Sequence, residues 1–144
     1  MEVLIALHAL ATIMMAGLIW FVQLVHYPLF ALVEASNLVR YEREHTRRVT
    51  WIVAPLMGLE ALTAVALVFL VSGTALRVVA IAGLLLVAII WASTAFLQVP
   101  CHRKLSAGYD LSTTRRLVTT NWLRTWAWTA RACLAVVMPA MMQS

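Results

Sequence analysis

The chain has 144 residues, of which 63% are hydrophobic and 12% charged, with a formal net charge of +5. Soluble domains carry about 25% charged and about 45–50% apolar residues, and a small core cannot enclose this much apolar surface. A soluble enzyme, a disulfide-stapled secreted domain and a disordered regulator are excluded. The basic balance reads as a membrane-surface signal rather than a nucleic-acid footprint.

A helix needs roughly 20 apolar residues to cross about 30 Å of hydrocarbon. The first such stretch covers residues 3–25; Glu2 precedes it without a basic segment, so no cleaved signal peptide is expected. His8, Thr12, Gln23 and His26 share one broad face of this helix. It closes on His26-Tyr27-Pro28. Residues 34–48 follow, with Arg40, Arg43, Arg47 and Arg48 and the run Tyr41-Glu42-Arg43-Glu44-His45. Glu44 and Arg48 stand at i,i+4, the pattern of a solvated helical flank.

The second stretch, residues 51–71, carries Glu60 with Thr63 nearby, and Ser72-Gly73-Thr74 makes a tight turn into the third. Residues 78–99 place Trp91, Thr94 and Gln98 along one stripe, leading to Pro100, Cys101 and His102. Arg103, Lys104, Arg115 and Arg116 lie in the next connection, and residues 117–142 set Asn121, Arg124, Trp128 and Arg131 on one face. The expected fold is all-α: one transmembrane domain over residues 1–144, an antiparallel four-helix bundle.

Eight basic residues in the two long connections oppose Arg77 on the other side. The positive-inside rule then puts residues 34–48 and 103–116 in the cytoplasm and both termini outside, in a bacterial inner or plasma membrane. Cys101 and Cys133 fall at different depths, so free thiols are expected rather than a bridge.

Ionisable side chains inside a bilayer cost about 2.5–3.5 kcal/mol each on insertion scales. Glu60, Arg124 and Arg131 must therefore face inward, and a structural ion pair of Glu60 with one or both arginines is available in depth. His26, His45 and His102 reach one membrane face from three segments. Neutral imidazoles so placed suit a transition metal or a haem, or an acid–base role without a cofactor. Glu42 and His45 form one Glu-x-x-His pair, but the second pair of a di-iron bundle is missing. Interfacial preference of His, Tyr and Trp accounts for the same clustering without chemistry. His8, near the opposite end, reads as a packing histidine. Phosphate loops, Ser-His-Asp sets, paired CxxC and HExxH are all absent, which disfavours a hydrolase or an ATP-driven machine.

The order of motifs resembles the anthrone-oxygenase-like family of small four-helix integral membrane proteins. That family shows a V-P-x-N-x-x-L type motif after its third helix and a W-N-x-x-R-T type motif in its fourth. The corresponding stretches here are Val99-Pro100-Cys101-His102-Arg103-Lys104-Leu105 and Asn121-Trp122-Leu123-Arg124-Thr125, with Pro28 and Pro55 at two earlier proline positions. His102 departs from the family by replacing asparagine, and His26 and His45 are additional to its pattern. The resemblance implies an oxidoreductase or oxygenase acting on a lipophilic aromatic substrate near the cytoplasmic face. His26, His45 and His102 would bind a metal or act as acid and base, while Asn121 and Arg124 would orient an oxygen. A weaker likeness, through a first-helix histidine, is to the small four-helix bacterial membrane protoporphyrinogen oxidase. The competing reading is a non-catalytic membrane subunit or assembly factor, partnered within a homo-oligomer or larger complex, whose polar stripes dock helices. Its partners would be lipid and protein; nucleic acid is not expected under either reading.

Overall fold

In the computed structural model, which describes residues 1–30 and 32–142, the described residues form four helices. They are α1 (Glu2–Phe30), α2 (Ala35–Leu70), α3 (Thr74–Leu105) and α4 (Leu111–Met142), with no strand among the described residues. The all-α expectation holds. Gly73, at φ 86°, makes the bend into α3, a left-handed backbone that glycine adopts without Cβ strain.

α1 and α3 share one irregularity. Each contains a five-residue π-helical turn, Val22–His26 in α1 and Thr94–Gln98 in α3. Each turn ends two residues before a proline, Pro28 and Pro100. A proline lacks its own N–H and crowds the carbonyl four residues back. Tyr27 N–H accordingly reaches back five residues to Val22 O, and Val99 N–H to Thr94 O. Such π turns often accompany functional sites, and here they bury Gln23 and Gln98.

Three apolar clusters run along the bundle. Ile5, Leu67, Leu76 and Met138 close one end; Met15, Ile19, Met57, Ile90 and Trp128 fill the middle; Tyr27, Leu38, Leu105 and Leu117 close the other. Outside, large apolar side chains are bare: Leu62 is 74% exposed, Phe69 76% and Phe96 75%. Inside are His8, Glu42, Glu60, Asn121, Arg124 and Arg131. Charged and polar side chains are thus set into an apolar core while large apolar ones face outward.

Two sequence expectations are met only in part. Among the described residues, three helices are long and apolar enough by composition to cross a membrane: α1, residues Ser36–Leu70 of α2, and α3. α4 is 32 residues long, but Asn121, Arg124, Trp128 and Arg131 on its buried face dilute its apolar character. Second, the 40–48 flank is not wholly solvated. α2 is one helix of 36 residues, about 54 Å at 1.5 Å per residue. It buries Leu38 and Glu42, while Arg47 and Arg48 stay exposed on Glu44 at 2.8 and 3.1 Å. Both cysteines are free, Cys101 buried and Cys133 exposed. Trp91, grouped with Thr94 and Gln98 on the α3 stripe, is 46% exposed, whereas Gln98 is buried.

Candidate functional site

Beside the π turns the four helices leave a cavity of about 130 Å³. Its apolar wall includes Met15, Ile19 and Val22 from α1 and Val49 and Val53 from α2; its polar wall is Tyr27, His45, Gln98, His102 and Arg124. The cavity reaches the surface beside Thr50 and Val99, both exposed.

Three of the five residues expected at the site, His45, His102 and Arg124, line this cavity. The other two stand behind it. The His26 ring stacks on His45, with centroids 4.1 Å apart and planes at 21°. Asn121, fully buried, accepts from Arg124 Nη1 at 3.3 Å and donates through Nδ2 to Gln23 Oε1 at 2.8 Å. Gln23 in turn donates to the Val118 carbonyl at 3.3 Å.

The sequence reading missed the residue that holds His102. Glu42 is 0% exposed, and its Oε1 lies 2.5 Å from His102 Nδ1. A carboxylate only accepts, so Nδ1 carries the hydrogen of this bond and Nε2 is turned away from Glu42. This is the arrangement by which a carboxylate fixes a working imidazole's tautomer and orientation. Its sequence signal was the i,i+3 spacing of Glu42 and His45, which puts both on the packed face of α2. Gln98, bonded to Ser93 Oγ at 3.0 Å and to Thr120 Oγ1 at 3.2 Å, was placed on the α3 stripe but not assigned to the site.

The expected metal set takes a different form. His45 stacks on His26 and meets His102 at a tilt, that second pair of centroids being 5.9 Å apart with planes at 38°. Among the described residues, no three His, Cys, Asp or Glu side chains are placed to hold one metal ion. Stacked imidazoles present faces to one another, whereas ligation needs their nitrogen lone pairs to converge.

The charged interior resolves into a pair and a lone cation. Glu60 accepts from Arg131 Nε at 2.9 Å and from Trp128 Nε1 at 3.0 Å, and Arg131 Nη1 also donates to the Gly83 carbonyl. Arg124 is not part of that pair. Its guanidinium lies 5.1 Å from the Trp128 ring centroid, and its buried Nε has no hydrogen-bond partner. His8, as expected, packs inside: it is 6% exposed and bonded through Nδ1 to Thr63 Oγ1 at 2.8 Å. The Thr63 hydroxyl also lies 2.8 Å from the Leu59 carbonyl, which ties His8 to the backbone of α2.

Where α3 gives way to α4, Asp110 accepts from Lys104 Nζ at 2.6 Å and from Ser112 N at 3.1 Å. The ammonium and the adjacent donors hold this carboxyl well below the usual range. Comparison of the chain with protein-family models, with curated proteins and with solved structures finds no match to any of them.

Proposed function

We propose that the chain is an antiparallel, four-helix transmembrane protein of the bacterial inner membrane that oxidises a small lipophilic, aromatic substrate, as the resemblance to anthrone oxygenases implies. The observation that carries this reading is the cavity whose polar wall joins His45 and His102 to Arg124. Apolar side chains facing outward and charged ones facing inward support insertion in a bilayer. α4 completes the bundle because Arg124 and Arg131 turn inward, where they need not meet lipid. The basic residues of 34–48 and 103–116 favour the cytoplasmic side for the site.

In this reading the substrate enters from the membrane past Thr50 and Val99. His102, oriented by Glu42, accepts a proton from the activated C–H of the substrate, forming N–H and leaving a carbanion. Arg124 faces the oxygen onto which that charge delocalises, as a positioned buried donor stabilises a developing oxyanion. Dioxygen, supplied from solution, takes up the electrons. The net change converts an activated CH₂ and O₂ to C=O and water.

The stripes of α1 and α4 meet each other inside the bundle through Gln23 and Asn121. That inward convergence favours a site over the docking-subunit alternative, in which polar faces would point outward. Membranes carrying the chain should consume dioxygen when given a hydroxylated anthrone or a smaller hydroxyarene with an activated C–H. His102→Ala should slow this about a hundredfold or more, the contribution of a positioned base. Consumption unchanged by His102→Ala, or none with any such compound, would overturn the proposal.

A further inference from the structure

Arg124 is 7% exposed, lines the cavity, and has no carboxylate partner among the described residues. The two buried acids are engaged elsewhere, Glu60 with Arg131 and Glu42 with His102. Arg124 hydrogen-bonds Asn121, lies over the face of Trp128 and shares the cavity wall with Tyr27, and its Nε is left over. Buried guanidinium groups are ordinarily paired, because leaving one uncompensated is strongly destabilising. A cation kept in this condition on a cavity wall is available to an anion that arrives from outside the chain.

Volume limits what that anion can be. A cavity of about 150 Å³ lined by apolar side chains takes one benzene molecule, and this one measures about 130 Å³. Met15, Ile19, Val22 and Val53 give the apolar wall a single ring requires. Three fused rings do not fit inside, so any larger part of the molecule must project past Thr50 and Val99.

We infer that the cavity binds a single aromatic ring bearing an anionic oxygen, with that oxygen on the Arg124 guanidinium and the ring against Met15, Ile19, Val22 and Val53. The inference rests on the reading of the cavity as a lipophile site and narrows it to aromatic oxyanions that place one ring inside. Phenolates and aromatic carboxylates share this chemistry.

Three probes separate these ideas: 4-nitrophenolate, 4-nitrobenzoate and neutral nitrobenzene, titrated above neutral pH into the full chain in detergent. Quenching of its six tryptophans reports binding. Val53→Trp fills the cavity, so any quenching that survives in it is partition into the micelle and is subtracted. At least one anion should bind tenfold or more tightly than nitrobenzene, and which of the two wins identifies the oxygen group. Arg124→Gln should remove that preference while leaving nitrobenzene binding in place. Its melting temperature without ligand should equal or exceed that of the unsubstituted chain, since an unpaired charge has gone.

Anions that bind no tighter than nitrobenzene would overturn the inference and leave the lipophile site standing. A preference that survives Arg124→Gln but is lost in Arg43→Gln or Arg103→Gln would move the anion to the surface rim and also overturn it. If none of the three binds, the lipophile-site reading falls as well. Should Arg124→Gln fail to fold, the comparison of anion with nitrobenzene in the unsubstituted chain still decides.

Discussion

Arg131 donates from Nε to Glu60 Oε1 at 2.9 Å, and the two side chains are 1% and 2% exposed. Trp128 occupies the second carboxylate oxygen, so the acid is fully served. Glu60→Ala should cost about 3–5 kcal/mol, the usual loss when one partner of a buried pair is removed. The double replacement Glu60→Met with Arg131→Met should cost clearly less, because both desolvated charges disappear together. Unfolding of purified protein in mixed detergent measures both, and equal stabilities for all three chains would refute the pair's role.

Gln23 and Asn121 tie α1 to α4 through one buried hydrogen bond of 2.8 Å. Interhelical bonds in membrane proteins couple by about 0.6 kcal/mol on average, with a maximum near ~1.7 kcal/mol. A double-mutant cycle of Gln23→Ala and Asn121→Ala should return a favourable coupling in that range. Strict additivity of the two substitutions would show that the bond contributes nothing.

Glu42 is a positioning residue for His102. Glu42→Gln keeps the side chain's shape but removes the charge that fixes the imidazole. We expect about a tenfold fall in kcat, part of the roughly 10²–10⁴-fold a positioned base contributes, with KM nearly unchanged. His8→Ala should leave kcat alone and lower stability by about 1 kcal/mol, the worth of one internal hydrogen bond. Steady-state kinetics on the two variants distinguish these roles; an equal loss of kcat in both would contradict them.

The Asp110 carboxyl is held below its ordinary value chiefly by Lys104. A depressed folded-state value means that ionised Asp110 stabilises the fold above its unfolded value, near pH ~3.9. That stabilisation disappears as pH falls through the lower folded value. Asp110→Asn should therefore narrow the stability difference between pH 6 and strongly acidic solution. Melting curves across that range test it, and identical acid profiles would dismiss the contact.

Single cysteines introduced in a Cys101→Ser, Cys133→Ser background report the proposed topology. Residues 72–75 should react with an impermeant thiol reagent applied outside intact cells, and residues 34–48 and 103–116 only after permeabilisation. The reverse pattern would put the site on the external face.

Composition and hydropathy alone determined the helical class, the inward-facing stripe on α4 and the meeting of three histidine segments at one end. These follow from periodicity and from the cost of exposing polar groups to lipid, both local properties of the chain. Which arginine pairs with Glu60 was not legible, since Arg124 and Arg131 lie two turns apart on the same face and only the offset between α2 and α4 chooses. That offset gives Glu60 to Arg131 and leaves Arg124 on the cavity wall. Nor could the spacing of Glu42 and His45 reveal a partner sixty residues away; His102 meets Glu42 only because α3 packs against the extended start of α2. The π turns before Pro28 and Pro100 make the same point. Proline signals a local disturbance of a helix, but the rotation that the disturbance gives to Gln23, His26 and Gln98 becomes a site only when the neighbouring helices are in place.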